Sequence, residues 1–234
     1  MGLNTLANEE REKIFGLFAK KETLKFNEIE KALGMRSNMV SYHLDQLRKE
    51  GVVEKKLFHY RLSKSAEKLL PSISQLSGRR MSPLPIILTA VVKKNRVLLL
   101  RRSARPYQGY WGLPGGKVLL EESLEESSQR IMKEKAGIET DFKGLCAIMH
   151  ERVHDSGSIK HGFMLFLARA DVRSGALQDS EYGELQWFDI SELEKEKVIP
   201  SDYWLIRNKL NSSVEVQSAV MNDDEGMLEG FSTE

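Results

Sequence analysis

Residues 111–138 read WGLPGGKVLLEESLEESSQRIMKEKAGI, and the rest of the chain is understood from this stretch outward. Pro114, Gly115 and Gly116 form a tight loop in which backbone can approach a ligand. Ser123 with Glu126 three residues on is a capping box, which predicts a helix from about Leu124 to Lys135. Glu122, Glu126, Arg130 and Glu134 recur every four residues, a spacing that stacks three carboxylates and one guanidinium on one helical face. By itself such a row is a solvent-exposed ion-pair ladder worth a few tenths of a kcal/mol per pair. Just upstream, PIILTAVVKK (85–94) and RVLLLRRS (96–103) read as two strands joined by a turn at Asn95.

The 234 residues are 41% hydrophobic and 29% charged, enough apolar material for a folded core. That excludes a collagen-like chain, a wholly disordered one and a mini-protein. The longest apolar runs, Pro85 to Val92 with Thr89 inside it and Val97 to Leu100, fall far short of the roughly 18 to 20 residues of a membrane helix. No membrane association is expected. MGLNTLANEE at the N-terminus carries no signal-peptide pattern, and the lone Cys146, set in apolar GLCAIM, points to a buried thiol and a reducing compartment. The protein reads as cytoplasmic.

Charge is divided unevenly. Residues 1–82 hold 16 Lys and Arg against 10 Asp and Glu, a balance of +6, and the remainder holds 19 against 24, a balance of −5. Residues 36–80 carry the basic excess, 10 against 4, a modest polyanion-binding signal. A Ser, Pro and Gly-rich stretch, PSISQLSGRRMSPLP (71–85), separates two patterned regions. Four segments are therefore expected: a first domain at 1–75, a linker at 76–83, a second domain at 84–210 and a flexible acidic tail at 211–234.

In the first domain, Ile14, Leu17 and Phe18 mark one helix, and Asn27 with Glu30 forms a capping box for a second that stops at Gly34. Ser37 is expected to cap a third. Within it Val40, Leu44 and Leu47 follow the spacing of a buried stripe, Asn38, Ser41 and Tyr42 face outward, and His43 packs beside the stripe. VVEKKLFHYRLS (52–63) then reads as a short hairpin, followed by a helix from Ser63 to Leu70. This is the order of a winged helix-turn-helix. Residues 8–75 resemble the winged-helix domains of bacterial and archaeal transcription regulators, most closely in MVSYHLDQLRKEGVVEKK (39–56). The resemblance implies double-stranded DNA as partner, with Asn38, Ser41 and Tyr42 reading base edges in the major groove. Arg36, Lys55, Lys56, His59 and Arg61 would meet phosphates, and a homodimer would read paired half-sites.

The second domain closely resembles the Nudix family. Its box runs Gly, five residues, Glu, seven residues, Arg-Glu-apolar-x-Glu-Glu-x-Gly-apolar. Gly116, Glu122, Arg130, Met132, Glu134, Gly137 and Ile138 fall in this frame without a gap. RRSARPYQGYWGLPGG (101–116) and ELQWFDISEL (184–193) extend the likeness over about residues 84–210. The implied architecture is a two-domain α+β chain whose second part is an α/β/α sandwich on a mixed sheet. Family members cleave nucleoside diphosphate derivatives with Mg²⁺ or Mn²⁺ held largely by box glutamates. Two such positions differ here, Ile131 after the arginine and Lys135 in the glutamate pair. Placed one turn apart, an apolar group and an ammonium would oppose a divalent cation, whereas Lys135 could itself meet a pyrophosphate.

The resemblance further implies ligand contacts from Arg101, Arg102, Tyr110, Gly115, Gly116 and Lys117. In an active enzyme Glu122, Arg130 and Glu134 would be catalytic, with Glu122, Glu134 and Glu184 as metal ligands. His150, Glu151 and His154 spell H-E-x-x-H with His161 beyond, but the zinc chemistry of that motif needs a helix, and GLCAIMHERVHDSG (144–157) reads as a strand. The expectation is a DNA-binding regulator whose second domain senses a nucleotide-type small molecule. The alternative is a working Mg²⁺-dependent hydrolase with an accessory winged helix.

Overall fold

Asn8 opens helix α1 (Glu9–Phe18), its side-chain oxygen accepting from the amides of Glu10 and Arg11. The chain is described here from a computed structural model covering residues 8–69, 82–224 and 227–233. Two compact units divide it, Met1–Ser82 and Pro83–Glu234. Most of the expected linker, residues 76–81, lies outside the described residues.

In the first unit β1 (Leu24–Lys25) leads into α2 (Phe26–Leu33). The helix start lies two residues earlier than the expected capping box and is not a reciprocal one: Glu28, held by Lys21 at 2.6 Å, accepts from the amide of the N-cap Lys25 at 2.7 Å, but a lysine side chain has no acceptor to return the bond, and Glu30 instead accepts from the Ser37 hydroxyl. Ser37 is thus the first residue of α3 (Ser37–Lys49), with Arg36 at the cap position. Val40, Leu44 and Leu47 are buried and His43 packs among them. Strands β2 (Val53–Lys56) and β3 (His59–Leu62) form the wing, completing a sheet of order β1-β3-β2. Helix α4 (Lys64–Glu67), capped by Ser63, is shorter than the expected span to Leu70, which lies outside the described residues. Ile14, Phe15, Ile29, Leu44 and Leu47 are fully buried and join the three longer helices around one core.

The second unit is built on β4 (Leu84–Lys93), β5 (Arg96–Arg102), β6 (Trp111–Gly112), β7 (Gly115–Lys117), β8 (Ile138–Asp155), β9 (Ser158–Gly175) and β10 (Gly183–Asp189). They form a seven-stranded sheet of order β10-β5-β4-β9-β8, with β6 on β5 and β7 on β4. The sheet is mixed, since β4 and β9 run parallel and the other pairs antiparallel. Alternation along β4 assigns its two faces. Ile87 and Val91 pack with Ile131, Met132 and Ala136 of α5 (Leu124–Ala136). Leu88 and Ala90 pack with Leu205 and Ile206 of α6 (Pro200–Lys209). Helices therefore cover both faces. Cys146 lies on the α6 side, where burial pushes its thiol up. Among the described residues no helix is long and apolar enough to cross a membrane.

The acidic tail differs from the expected flexible segment: β11 (Ala219–Asp224) pairs antiparallel with β12 (Met227–Thr233). A register shift between Met221 and Asn222 breaks the strand alternation, which hides the period from a sequence scan.

Candidate functional site

Packing dictates the two glycines of the loop. Gly115 and Gly116 pair with Leu88 and Ile87 of β4. A Cβ on Gly115 would lie 2.6 Å from Leu88 Cδ2, and one on Gly116 would lie 2.9 Å from Ile131 Cδ1. The loop is thereby pressed against the sheet on one side and α5 on the other.

Arg130 organises the box. Its guanidinium donates to both oxygens of Glu122 at 2.6 and 2.9 Å, to Glu134 at 3.3 Å and to the Lys117 carbonyl at 3.1 Å. Ser127 adds a hydroxyl bond to Glu122 at 2.8 Å. Arg130, then Ser127, hold the Glu122 carboxyl below its ordinary range against the opposing effect of burial. Glu126 leaves the expected row, because its carboxylate accepts from the Ser123 amide at 2.8 Å.

Ile131 and Lys135 do not share a surface. Ile131 is fully buried with Ile87, Leu145 and Ala168. Lys135 Nζ donates to the Gly115 carbonyl at 2.5 Å and lies 4.8 Å from the centre of the Tyr182 ring. Burial, and next the Arg102 charge, pull the Lys135 pKa down.

Lys135, Arg102 and Lys117 line a cavity of about 410 Å³ with Gly115 and Gly116. Leu84, Ile86, Leu88, Phe163 and Leu165 supply apolar walls, and Tyr107, Glu151, His161 and Asp202 add polar groups. Of the expected ligand residues, Arg101 and Tyr110 do not line this cavity. Arg101 turns to Glu184, 3.7 Å away on the neighbouring strand, and Tyr110 is exposed. Tyr107, with φ +62, stands in the cavity instead, its phenol pushed up to about 12 chiefly by burial. Trp111 packs edge-on against Phe188 at 4.8 Å.

Sequence reading missed Asp202, which is 3% exposed and accepts the Leu113 amide at 2.7 Å. The signal was its spacing: Asp202, Leu205 and Ile206 follow the 3, 4 pattern of a buried stripe. Burial raises its pKa from 3.8 to about 7, with the Glu151 charge adding to the rise and the Leu113 and Arg102 contacts opposing it. The folded state then binds a proton that the unfolded state has released, so stability falls as pH rises from about 4 to about 7. Asp202→Asn keeps an oxygen for Leu113 and removes the titration. Relative to the unchanged protein, its urea stability should lack this fall between about pH 4 and about pH 7, and a pH dependence equal to that of the unchanged protein would contradict this assignment.

Two box positions offer no oxygen ligand to a divalent cation: Ile131 is in the core and the Lys135 ammonium sits on the Gly115 carbonyl, while Glu184 pairs with Arg101. Among the described residues no three His, Cys, Asp or Glu side chains gather as metal ligands. His150, Glu151 and His154 lie on β8 and His161 on β9, so the H-E-x-x-H run is not helical.

On the first unit Arg36, Asn38, Ser41 and Tyr42 are exposed along α3, and Lys55, Lys56 and His59 along the wing. Arg61 is exposed but paired with Glu54 at 3.0 Å.

The NUDIX domain profile matches residues 84–208, more than half of the chain, and the profile of the bacterial regulatory protein, arsR family, matches residues 8–55. The chain belongs to the Nudix family and carries a helix-turn-helix domain ahead of the Nudix domain. An uncharacterized Nudix hydrolase, YvcI of Bacillus subtilis, is 32% identical over 109 residues, 46% of this chain and 67% of the relative. An ADP-ribose pyrophosphatase of Methanocaldococcus jannaschii is 30% identical over 125 residues, 50% of this chain and 71% of the relative. Among solved structures, a MutT NUDIX hydrolase from Burkholderia pseudomallei aligns with a TM-score of 0.49 at 25% identity, over 56% of this chain and all of that one.

Proposed function

We propose that this protein is a DNA-binding regulator whose Nudix domain binds a nucleoside diphosphate derivative as an effector without metal-driven hydrolysis. The observation that carries the reading is the Lys135 ammonium, seated on the Gly115 carbonyl and facing the cavity beside Arg102. Two side-chain cations at one end can neutralise a diphosphate directly, and the apolar walls suit the remainder of such a molecule. Domains 1–75 and 84–210 would then be reader and sensor, and a homodimer would present two copies of α3 to paired half-sites. A monomer in sedimentation, with and without DNA, would exclude that arrangement.

ADP-ribose is a suitable first probe, given the relative that is an ADP-ribose pyrophosphatase. At 100 times its dissociation constant a ligand stabilises by about 2.7 kcal/mol, a readily measured thermal shift. A panel of ADP-ribose and nucleoside diphosphates should contain a ligand whose shift is undiminished in EDTA. The hydrolase reading is favoured by the intact Glu122–Arg130–Glu134 cluster. It prevails if every shift requires Mg²⁺ and product accumulates.

A further inference from the structure

Lys56, Leu57, Phe58 and His59 carry the chain from β2 to β3 through a two-residue turn. Leu57 has φ +56, whereas Phe58 has no positive φ. Positive φ at the first central position alone is the type II′ pattern, which glycine fills without the steric penalty a leucine incurs. Both side chains are among the most exposed large apolar groups of the described residues, Leu57 at 81% and Phe58 at 79%. Fold stability explains neither choice. A polar or glycine turn would close the same hairpin with less strain and less apolar surface in water.

The tip is flanked by two lysines and a histidine. Lys55, Lys56 and His59 are exposed around it, and the nearby carboxylate of Glu54 is paired with Arg61. An apolar point beside two lysines complements duplex DNA, whose phosphates border a groove floor of stacked bases. We infer that Leu57 and Phe58 form a wedge that enters the minor groove and partly unstacks a base step, while Lys55, Lys56 and His59 hold the flanking phosphates. This rests on the DNA-binding reading above and adds to it a second mode of contact, one that deforms the duplex.

The full-length protein is tested on a duplex selected by it from a random-sequence pool, with 2-aminopurine at successive positions and a gel assay of bending. The unchanged protein should raise 2-aminopurine fluorescence at one step in each half-site and bend the duplex. Leu57→Gly with Phe58→Ser should weaken binding by about tenfold, or about 1.4 kcal/mol, and remove the bend. The salt slope of the tip variant should be unchanged, whereas Lys55→Ala with Lys56→Ala should reduce it by about 0.9 for each phosphate no longer neutralised. Leu57→Gly alone should raise the thermal midpoint of the DNA-free protein, which shows that the variant folds and that the turn was strained. Tip variants that bind and bend DNA like the unchanged protein overturn the wedge while leaving DNA binding intact. Tip variants that alter sedimentation of the DNA-free protein, with bending retained, overturn it in favour of an interface between copies. Failure of the unchanged protein to bind duplex at low salt overturns the DNA-binding reading itself.

Discussion

Lys135→Glu is expected to reduce metal-free affinity for a nucleoside diphosphate by at least about a hundredfold, about 2.7 kcal/mol. The change replaces an attractive charge with a repulsive one at the cavity wall. At roughly 4 Å and an effective dielectric constant of about 20, each unit-charge pair contributes on the order of 4 kcal/mol before solvent screening. Since Lys135 is only partly exposed, screening leaves a large part of that effect. Calorimetry in EDTA measures it directly, and affinity within a factor of about three of the unchanged protein would remove Lys135 from the site. Robust Mg²⁺-dependent turnover by the unchanged protein, lost in Glu134→Gln or Glu122→Gln, would instead establish the hydrolase reading.

The second large effect concerns stability. Ile131→Glu should destabilise the Nudix domain by about 4 kcal/mol at neutral pH, because it places a carboxyl among Ile87, Leu145 and Ala168 and removes the isoleucine's packing against them. Burial would raise the pKa of the new carboxyl, so the loss should lessen as pH falls and the group is protonated. Chemical denaturation at pH 5 and pH 8 reads both. A loss below about 1 kcal/mol would mean that residue 131 can reach solvent. Restoring both box glutamates is consequently a poor gain-of-activity experiment, since Ile131→Glu damages the fold before any chemistry is assayed.

Helices were the most legible elements in the sequence because caps and apolar spacing are local. Ser123 with Glu126, and Gly137 at φ +69, bound α5 within a residue of the expected span. At α2 the expected cap, Asn27 with Glu30, was misplaced by two residues: Glu28 accepts from the Lys25 amide and pairs with Lys21 seven positions away, a contact outside the local pattern. The candidate site was less legible, because its members meet through the sheet. Lys135 touches Gly115 twenty positions away, and Asp202 meets Leu113 at a separation of 89. The box frame identified Ile131 and Lys135 as departures, yet treated them as neighbours on one surface. The Cβ of a residue at 116 would collide with Ile131, so the isoleucine belongs beneath the loop and the lysine above it. Tyr107 was hidden for a different reason: a positive φ at a tyrosine has no sequence signature.

The short run from Leu113 to Gly115 is gripped from both sides of the sheet, by Asp202 of α6 through the Leu113 amide and by Lys135 of α5 through the Gly115 carbonyl. Two helices that never share a face thus have a common fulcrum in three residues of backbone. Substitutions at Lys135 and Asp202 are for that reason expected to be non-additive, which a double-mutant cycle measures. On the proposed reading, an anion that drew Lys135 off Gly115 would release the hold from α5 and leave the hold from α6 in place.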